Sequence, residues 1–315
     1  MERFAAIDVG SNSLKLTVAA RTDAQGFEVI ATEYRVPQLG RDAGADGALD
    51  ADAMSRTIEA LSSVLESVAH LEIERIRVVA TQAVRGAPNR TDFIRLVHSA
   101  CGIEMEVLDP SEEAGLSWSA ICGEQDVGDE PSVLIDVGGG SAECLLAIGE
   151  DVQDVVSLPL GALRLTDQFD LRDRFDVDAW SAAVEHAGAV IEDMLPRPDT
   201  TPYAWAVGGT CTALVELDRR GIGLGGNSDV VPASGAWAFT GLALDRIDAI
   251  IETVRHMPLT ERERASGLDA ARAAIMPAGG LVVQALLRRL GVTTGCCVTH
   301  HGVRDGVLRS MLEDV

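Results

Sequence analysis

The sequence predicts an α/β protein made of two similar units, each built on a mixed sheet. Two glycine-rich loops, residues 7–13 (IDVGSNS) and 135–143 (IDVGGGSAE), recur about 130 residues apart, each opened by an aspartate at the end of an apolar strand. Around them, short apolar runs alternate with segments of helical periodicity, a pattern that demands parallel crossovers and a sheet covered on both faces. The chain has 315 residues, too long for one ordinary core and suited to two domains.

The first unit opens with strands over residues 4–8 and 14–21 around the first loop, and a third over 29–34 after a turn near Gly26. Met54, Ile58, Leu61, Leu65 and Val68 recur at helical spacing, with Asp50 or Asp52 as the cap, and lead into a strand over 76–80. A helix over 91–100 ends before Gly102, a strand follows at 105–108, and a helix runs from 112 to 122 with Ser111 as its expected cap. The polar stretch 123–131 (GEQDVGDEP) marks the boundary.

The second unit repeats the opening: strands over 133–136 and 142–148 around a glycine loop, then a strand near 155–158. A helix over 177–194, a strand over 204–207, a GGT turn at 208–210, helices over 241–257 and 270–290, and a strand over 297–299 complete it. The terminal helix, from residue 303, is expected to return to the first unit. The expected division is therefore 1–125 with 302–315, and 126–301, with a cleft between.

Composition narrows the function. Hydrophobic residues make up 47% and charged residues 24%, as in an ordinary folded globule. No apolar run approaches the roughly 18 residues needed to cross a bilayer, and Met1 leads straight into a strand, so no membrane association is expected and the expected location is the cytoplasm. A net charge of −23 argues against general nucleic-acid binding. The six cysteines show no CxxC spacing and suit neither structural zinc nor a disulfide framework.

A strand ending in Asp, then small residues whose amides can approach closely, makes a loop that cradles phosphate. Amides of Gly10, Ser11, Asn12 and Ser13 on one loop, and of Gly138, Gly139, Gly140 and Ser141 on the other, are the candidate donors. Asp8, Asp136 and Glu143 either hold Mg²⁺, which favours hard carboxylate oxygens, or are hairpin acids satisfied by neighbouring amides. Lys15 is the only lysine, beside 25 arginines, and lies two residues past Ser13; it faces the phosphate or points away.

Six ordered segments resemble the Ppx/GppA family of exopolyphosphatases and guanosine pentaphosphate phosphohydrolases: 7–13, 80–89 (ATQAVRGAPN), 111–116 (SEEAGL), 135–143, 157–165 (SLPLGALRL) and 301–308 (HGVRDGVL). The resemblance implies two actin-like domains (ribonuclease H-like, of the ASKHA type), in the short form without further helical domains. It implies Mg²⁺ or another divalent cation, inorganic polyphosphate or guanosine pentaphosphate as substrate, and a possible homodimer. A weakly catalytic polyphosphate or nucleotide sensor is the alternative of another class.

By the same resemblance, Glu113 is the general base that deprotonates the attacking water, with Glu112 as the neighbouring candidate. As plain sequence, both are acids complementing a helix dipole. Arg85 is the candidate phosphate clamp, suited by its planar fork. Arg272 is a further ligand-facing candidate or a helix-surface arginine, and Gly208, Gly209 and Thr210 form a third phosphate loop or an ordinary turn. His300 and His301 read as capping or packing residues. Ala142, Asp305 and Gly115 depart from the family pattern without removing a catalytic group.

Overall fold

A computed structural model of the chain describes residues 2–22, 26–43, 46–223 and 239–313. The chain forms two units, Met1–Gln125 with His301–Val315, and Asp126–His300. In the first, β1 (Arg3–Val9), β2 (Leu14–Arg21) and β3 (Phe27–Arg35) form an antiparallel meander. Helix α1 (Ala51–Val68), capped by Asp50, crosses to β4 (Arg75–Ala80), parallel to β1. Then follow α2 (Gln82–Arg85), α3 (Arg90–Cys101), β5 (Met105–Val107) and α4 (Pro110–Cys122), giving the strand order β3-β2-β1-β4-β5.

The second unit repeats this plan. It runs β6 (Pro131–Val137), β7 (Ala142–Ile148), β8 (Asp151–Leu158), α5 (Ala162–Gln168), α6 (Val177–Met194), β9 (Tyr203–Val207), α7 (Gly208–Arg219) and β10 (Phe239–Leu242). It continues through α8 (Leu244–Val254), α9 (Leu259–Ser266), α10 (Ala270–Arg289) and β11 (Cys296–Thr299), with strand order β10-β11-β9-β6-β7-β8. The duplication reaches single residues. A register shift falls between Val18 and Ala19 on β2 and between Leu146 and Ala147 on β7, separated by the same offset as the glycine loops.

Alternation along each strand decides what its face meets. On β1, Ala5, Ile7 and Val9 join Leu61, Val64, Phe93 and Val97 of α1 and α3 in one core. Phe4 and Ala6 face the other way, into a core with Val307, Leu308 and Met311 of α11 (Val303–Glu313). Asp8 therefore closes the row that faces α11. On β6, Val133, Ile135 and Val137 enter the core with α6, α7 and α10, so Asp136 lies on the opposite face.

Several elements differ from the sequence reading. The cap of α4 is Asp109 rather than Ser111, with Pro110 opening the helix. The GGT segment is the first turn of α7. The helix expected over 241–257 begins as β10 and becomes helical only past Ala243, while α2, α5 and α9 were not foreseen. β8 starts at Asp151 because its polar half continues the ladder with β7 past the bulge. Helix α10 is long and apolar enough to cross a membrane, with a mean hydropathy of 1.5, against the expectation of no such run; it is largely buried as the core helix of its unit.

Candidate active site

Both glycine loops close in the same way. The Gly10 amide donates to the Ser13 carbonyl at 3.0 Å, and the Gly138 amide to the Ser141 carbonyl at 3.0 Å. Each loop is backed by amides that pin its carbonyls. Gly40 and Gln38 donate to the carbonyls of Ser11 and Asn12; Ala162 donates to Gly138, and Leu163 and Arg164 to Gly139. In a planar trans peptide the N–H opposes the C=O, so pinning these carbonyls turns the amides of Asn12, Ser13, Gly139 and Gly140 to the other side. The donors expected for phosphate thus receive a fixed direction. Gly161 makes the backing possible: a Cβ there would lie 2.2 Å from the Gly139 carbonyl oxygen.

Asp136 and Glu143 are direct partners across the β6–β7 ladder and so share one face. Glu143 is buried, and its Oε1 accepts from Ser141 Oγ at 2.7 Å and Ser157 Oγ at 2.9 Å. Asp136 abuts the start of α7, where Gly208 has φ +88° and a Cβ would fall 2.3 Å from Asp136 Oδ1. Thr210 Oγ1 donates to the Val137 carbonyl, tying α7 to the loop, and the Arg272 guanidinium from the first turn of α10 lies against Gly209. The structure therefore gathers Asp136, Glu143, Ser141, Gly208, Gly209, Thr210 and Arg272 within one unit.

In the first unit the equivalent ladder partners are Asp8 and Lys15, and Lys15 shares the face of Asp8. Asp8 is half-buried, its inward Oδ1 is buried and makes no hydrogen bond, and this desolvation raises its pKa against the opposing charges of Lys15 and Arg304. Arg304 reaches this sheet from α11 by donating to Thr17 Oγ1 at 2.6 Å. Asp8 is thus surrounded by cations rather than by further carboxylates. Among the described residues, no three of His, Cys, Asp and Glu are grouped to hold a metal.

The adjacent glutamates have separate surroundings. Glu112 is exposed and closes a capping box: its carboxylate accepts the Asp109 amide at 2.8 Å, while Asp109 Oδ1 accepts the Glu112 amide. Glu113, one position on, is 8% exposed and accepts from Arg85 Nη1 at 2.8 Å. The same nitrogen donates to the Leu108 carbonyl, and Arg85 Nη2 to Gln82 Oε1. The fork expected to clamp phosphate is thus seen to hold Glu113.

The Ppx/GppA phosphatase family matches residues 17–315. The chain belongs to this family. Exopolyphosphatase 2 of Mycobacterium tuberculosis is 29% identical, over 99% of each chain. The solved Ppx/GppA family member from Aquifex aeolicus is 26% identical, with a TM-score of 0.76 over 99% of this chain and 98% of that one. A solved exopolyphosphatase from Cytophaga hutchinsonii shares the fold, with a TM-score of 0.86 at 20% identity over 100% of this chain and 99% of that one. As a Ppx/GppA phosphatase the protein is a hydrolase of phosphoanhydride bonds, on a two-unit actin-like α/β fold.

Four supporting residues escaped the sequence reading: Gln82 beside Arg85, Ser157 on Glu143, Gly161 behind the second loop and Arg304 toward Asp8. All lie inside segments that carry the Ppx/GppA resemblance, which is the signal that pointed to them. A divalent cation, implied by the family, is tested by its donors. Asp136 and Glu143 supply hard oxygens on one face, and the two serine hydroxyls fix the Glu143 carboxylate, which suits Mg²⁺ held by one or two carboxylates with its own waters.

Proposed function

We propose that the protein is an exopolyphosphatase that hydrolyses the terminal phosphoanhydride of inorganic polyphosphate and releases orthophosphate. The observation that carries this reading is the buried Glu113 held by Arg85 beside a Glu112 committed to capping, in a chain aligned end to end with an exopolyphosphatase. Glu113 orients a water and takes its proton as the water oxygen bonds to the terminal phosphorus. The bridging P–O bond breaks, and the shortened chain leaves with the electron pair. The fixed amides of the glycine loops bind phosphate oxygens and need little reorganisation as charge shifts, which is most of what phosphoryl transfer requires.

Asp136 and Glu143 would hold Mg²⁺, which when bound neutralises phosphate charge. Asp8, placed between Lys15 and Arg304, serves instead to order those cations. The test is orthophosphate release from long-chain polyphosphate and from guanosine pentaphosphate in parallel, with and without Mg²⁺, using Glu113→Gln as control. Rapid, Mg²⁺-dependent release from polyphosphate that Glu113→Gln abolishes supports the reading. Preference for the nucleotide moves the function to guanosine pentaphosphate hydrolysis, and no release from either overturns catalysis altogether.

A further inference from the structure

Helix α10 contains Pro277, which has no N–H and whose ring crowds the carbonyl four residues earlier. That carbonyl belongs to Ala273, a residue 1% exposed, where water cannot substitute for the missing donor. Arg262 of α9 supplies it. This arginine, 2% exposed, donates from Nη1 to the carbonyls of Ala273 at 2.9 Å and Ala274 at 3.3 Å. Its Nε donates to Met257, and its Nη2 to Arg172 and Asp173, again at backbone carbonyls. A desolvated guanidinium is costly and is retained where several otherwise orphaned acceptors converge on it.

We propose that Arg262 is a positioning residue: it replaces the hydrogen bond that Pro277 removes, and thereby fixes the first turn of α10 and the Arg272 guanidinium it carries against Gly209. The inference rests on the reading of Arg272 and residues 208–210 as phosphate-binding. Arg272 immediately precedes the two peptides that Arg262 holds, and on its other side Asp269 caps the same turn through the Arg272 amide at 2.9 Å. The turn is thus anchored on both sides of Arg272.

The test uses Arg262→Met, Arg262→Lys, Pro277→Ala, the Arg262→Met/Pro277→Ala double variant, and Arg272→Ala alone and combined with Arg262→Met. Orthophosphate release gives KM and kcat for polyphosphate, and amide exchange follows residues 270–276. Arg262→Met should raise KM about tenfold with kcat within about threefold, and Arg262→Lys less, as expected for lost ground-state binding. Pro277→Ala should suppress much of that rise, because residue 277 regains an N–H for the Ala273 carbonyl. In the Arg272→Ala background, Arg262→Met should add less than twofold.

A KM unchanged by Arg262→Met while Arg272→Ala raises it overturns the positioning role and leaves the phosphate reading intact. An Arg262→Met effect that persists undiminished without Arg272 also overturns it. If Arg272→Ala itself leaves KM unchanged, the phosphate reading of Arg272 fails and substrate positioning fails with it. Should Arg262→Met not fold, Arg262→Lys and the double variant carry the same comparison.

Discussion

Glu112 and Glu113 are neighbours in sequence with opposite assignments, and the distinction lies in the helix start. With Asp109 at the cap and Pro110 at the first position, Glu112 falls on the third, where a glutamate returns to the cap amide. That D-P-S-E pattern was legible in the sequence; reading Ser111 as the cap shifted the frame and hid it. Glu113→Gln should cost about 10² to 10⁴ in kcat. Glu112→Gln should leave kcat near wild type. Steady-state rates of both variants check this, and equal losses would return the base to either residue. Glycine 161 gives a second comparison. Gly161→Ala puts a methyl into the Gly139 carbonyl and should raise KM for polyphosphate severalfold, whereas Gly188→Ala, with open space at its Cβ within α6, should leave KM alone and stabilise by about 0.5–1 kcal/mol. Kinetics and thermal melts of the pair measure the contrast.

At the scale of elements, the strands flanking the glycine loops were readable because alternation and turn chemistry agree there. The short elements were not. Helix α2 has four residues, too few for a period, and α5 follows a glycine cap without a side-chain hydrogen bond. At β10 and α8 the apolar pattern runs on through both elements, and only the extended backbone of Ala243 separates them. The start of α11, where His301 reads from sequence as a capping or packing residue, carries a pH-sensitive pair. Asp305 accepts the Gly302 amide and lies 3.8 Å from His301 Nδ1. The Asp305 carboxylate beside it raises the pKa of His301 above 6.5, against burial. Burial would raise that of Asp305, but the neighbouring His301, Arg304 and the Gly302 amide outweigh it and hold it below 3.8. A raised histidine stabilises fully below 6.5 and loses that contribution as pH rises through its folded pKa; a depressed aspartate stabilises fully above 3.8 and loses it as pH falls. The pair therefore contributes most between those values. The melting temperature of His301→Gln should trail wild type by a constant margin across that window, and the margin should close toward alkaline pH. A margin independent of pH up to 9 would assign the loss to packing alone.

At the scale of the whole molecule, the repeated loop in the sequence announced a repeated topology, down to the matching bulges on β2 and β7. Composition could not say how each sheet is covered, because that depends on a segment far along the chain. The second unit is one continuous stretch, Asp126–His300, whereas the first needs the segment from His301 onward. From it, Val303, Val307, Leu308, Met311 and Leu312 are buried against Phe4, Ala6, Ala19, Val79 and Leu108. Burying each such side chain is worth about 1.5–3 kcal/mol, so their joint loss reaches the roughly 5–15 kcal/mol that keeps a domain folded. Arg304 and Arg309 leave with them, removing the bonds to Thr17 and Glu124. A chain ending at residue 300 should therefore lose amide-exchange protection throughout β1–β5 while β6, β7, β9 and α10 keep theirs, and it should melt with only the transition of the second unit. Exchange mapped by peptide separates the outcomes: retained protection in β1 and β4 would mean that α1 and α3 alone hold the first sheet, and lost protection in both units would mean that the second cannot stand without the first.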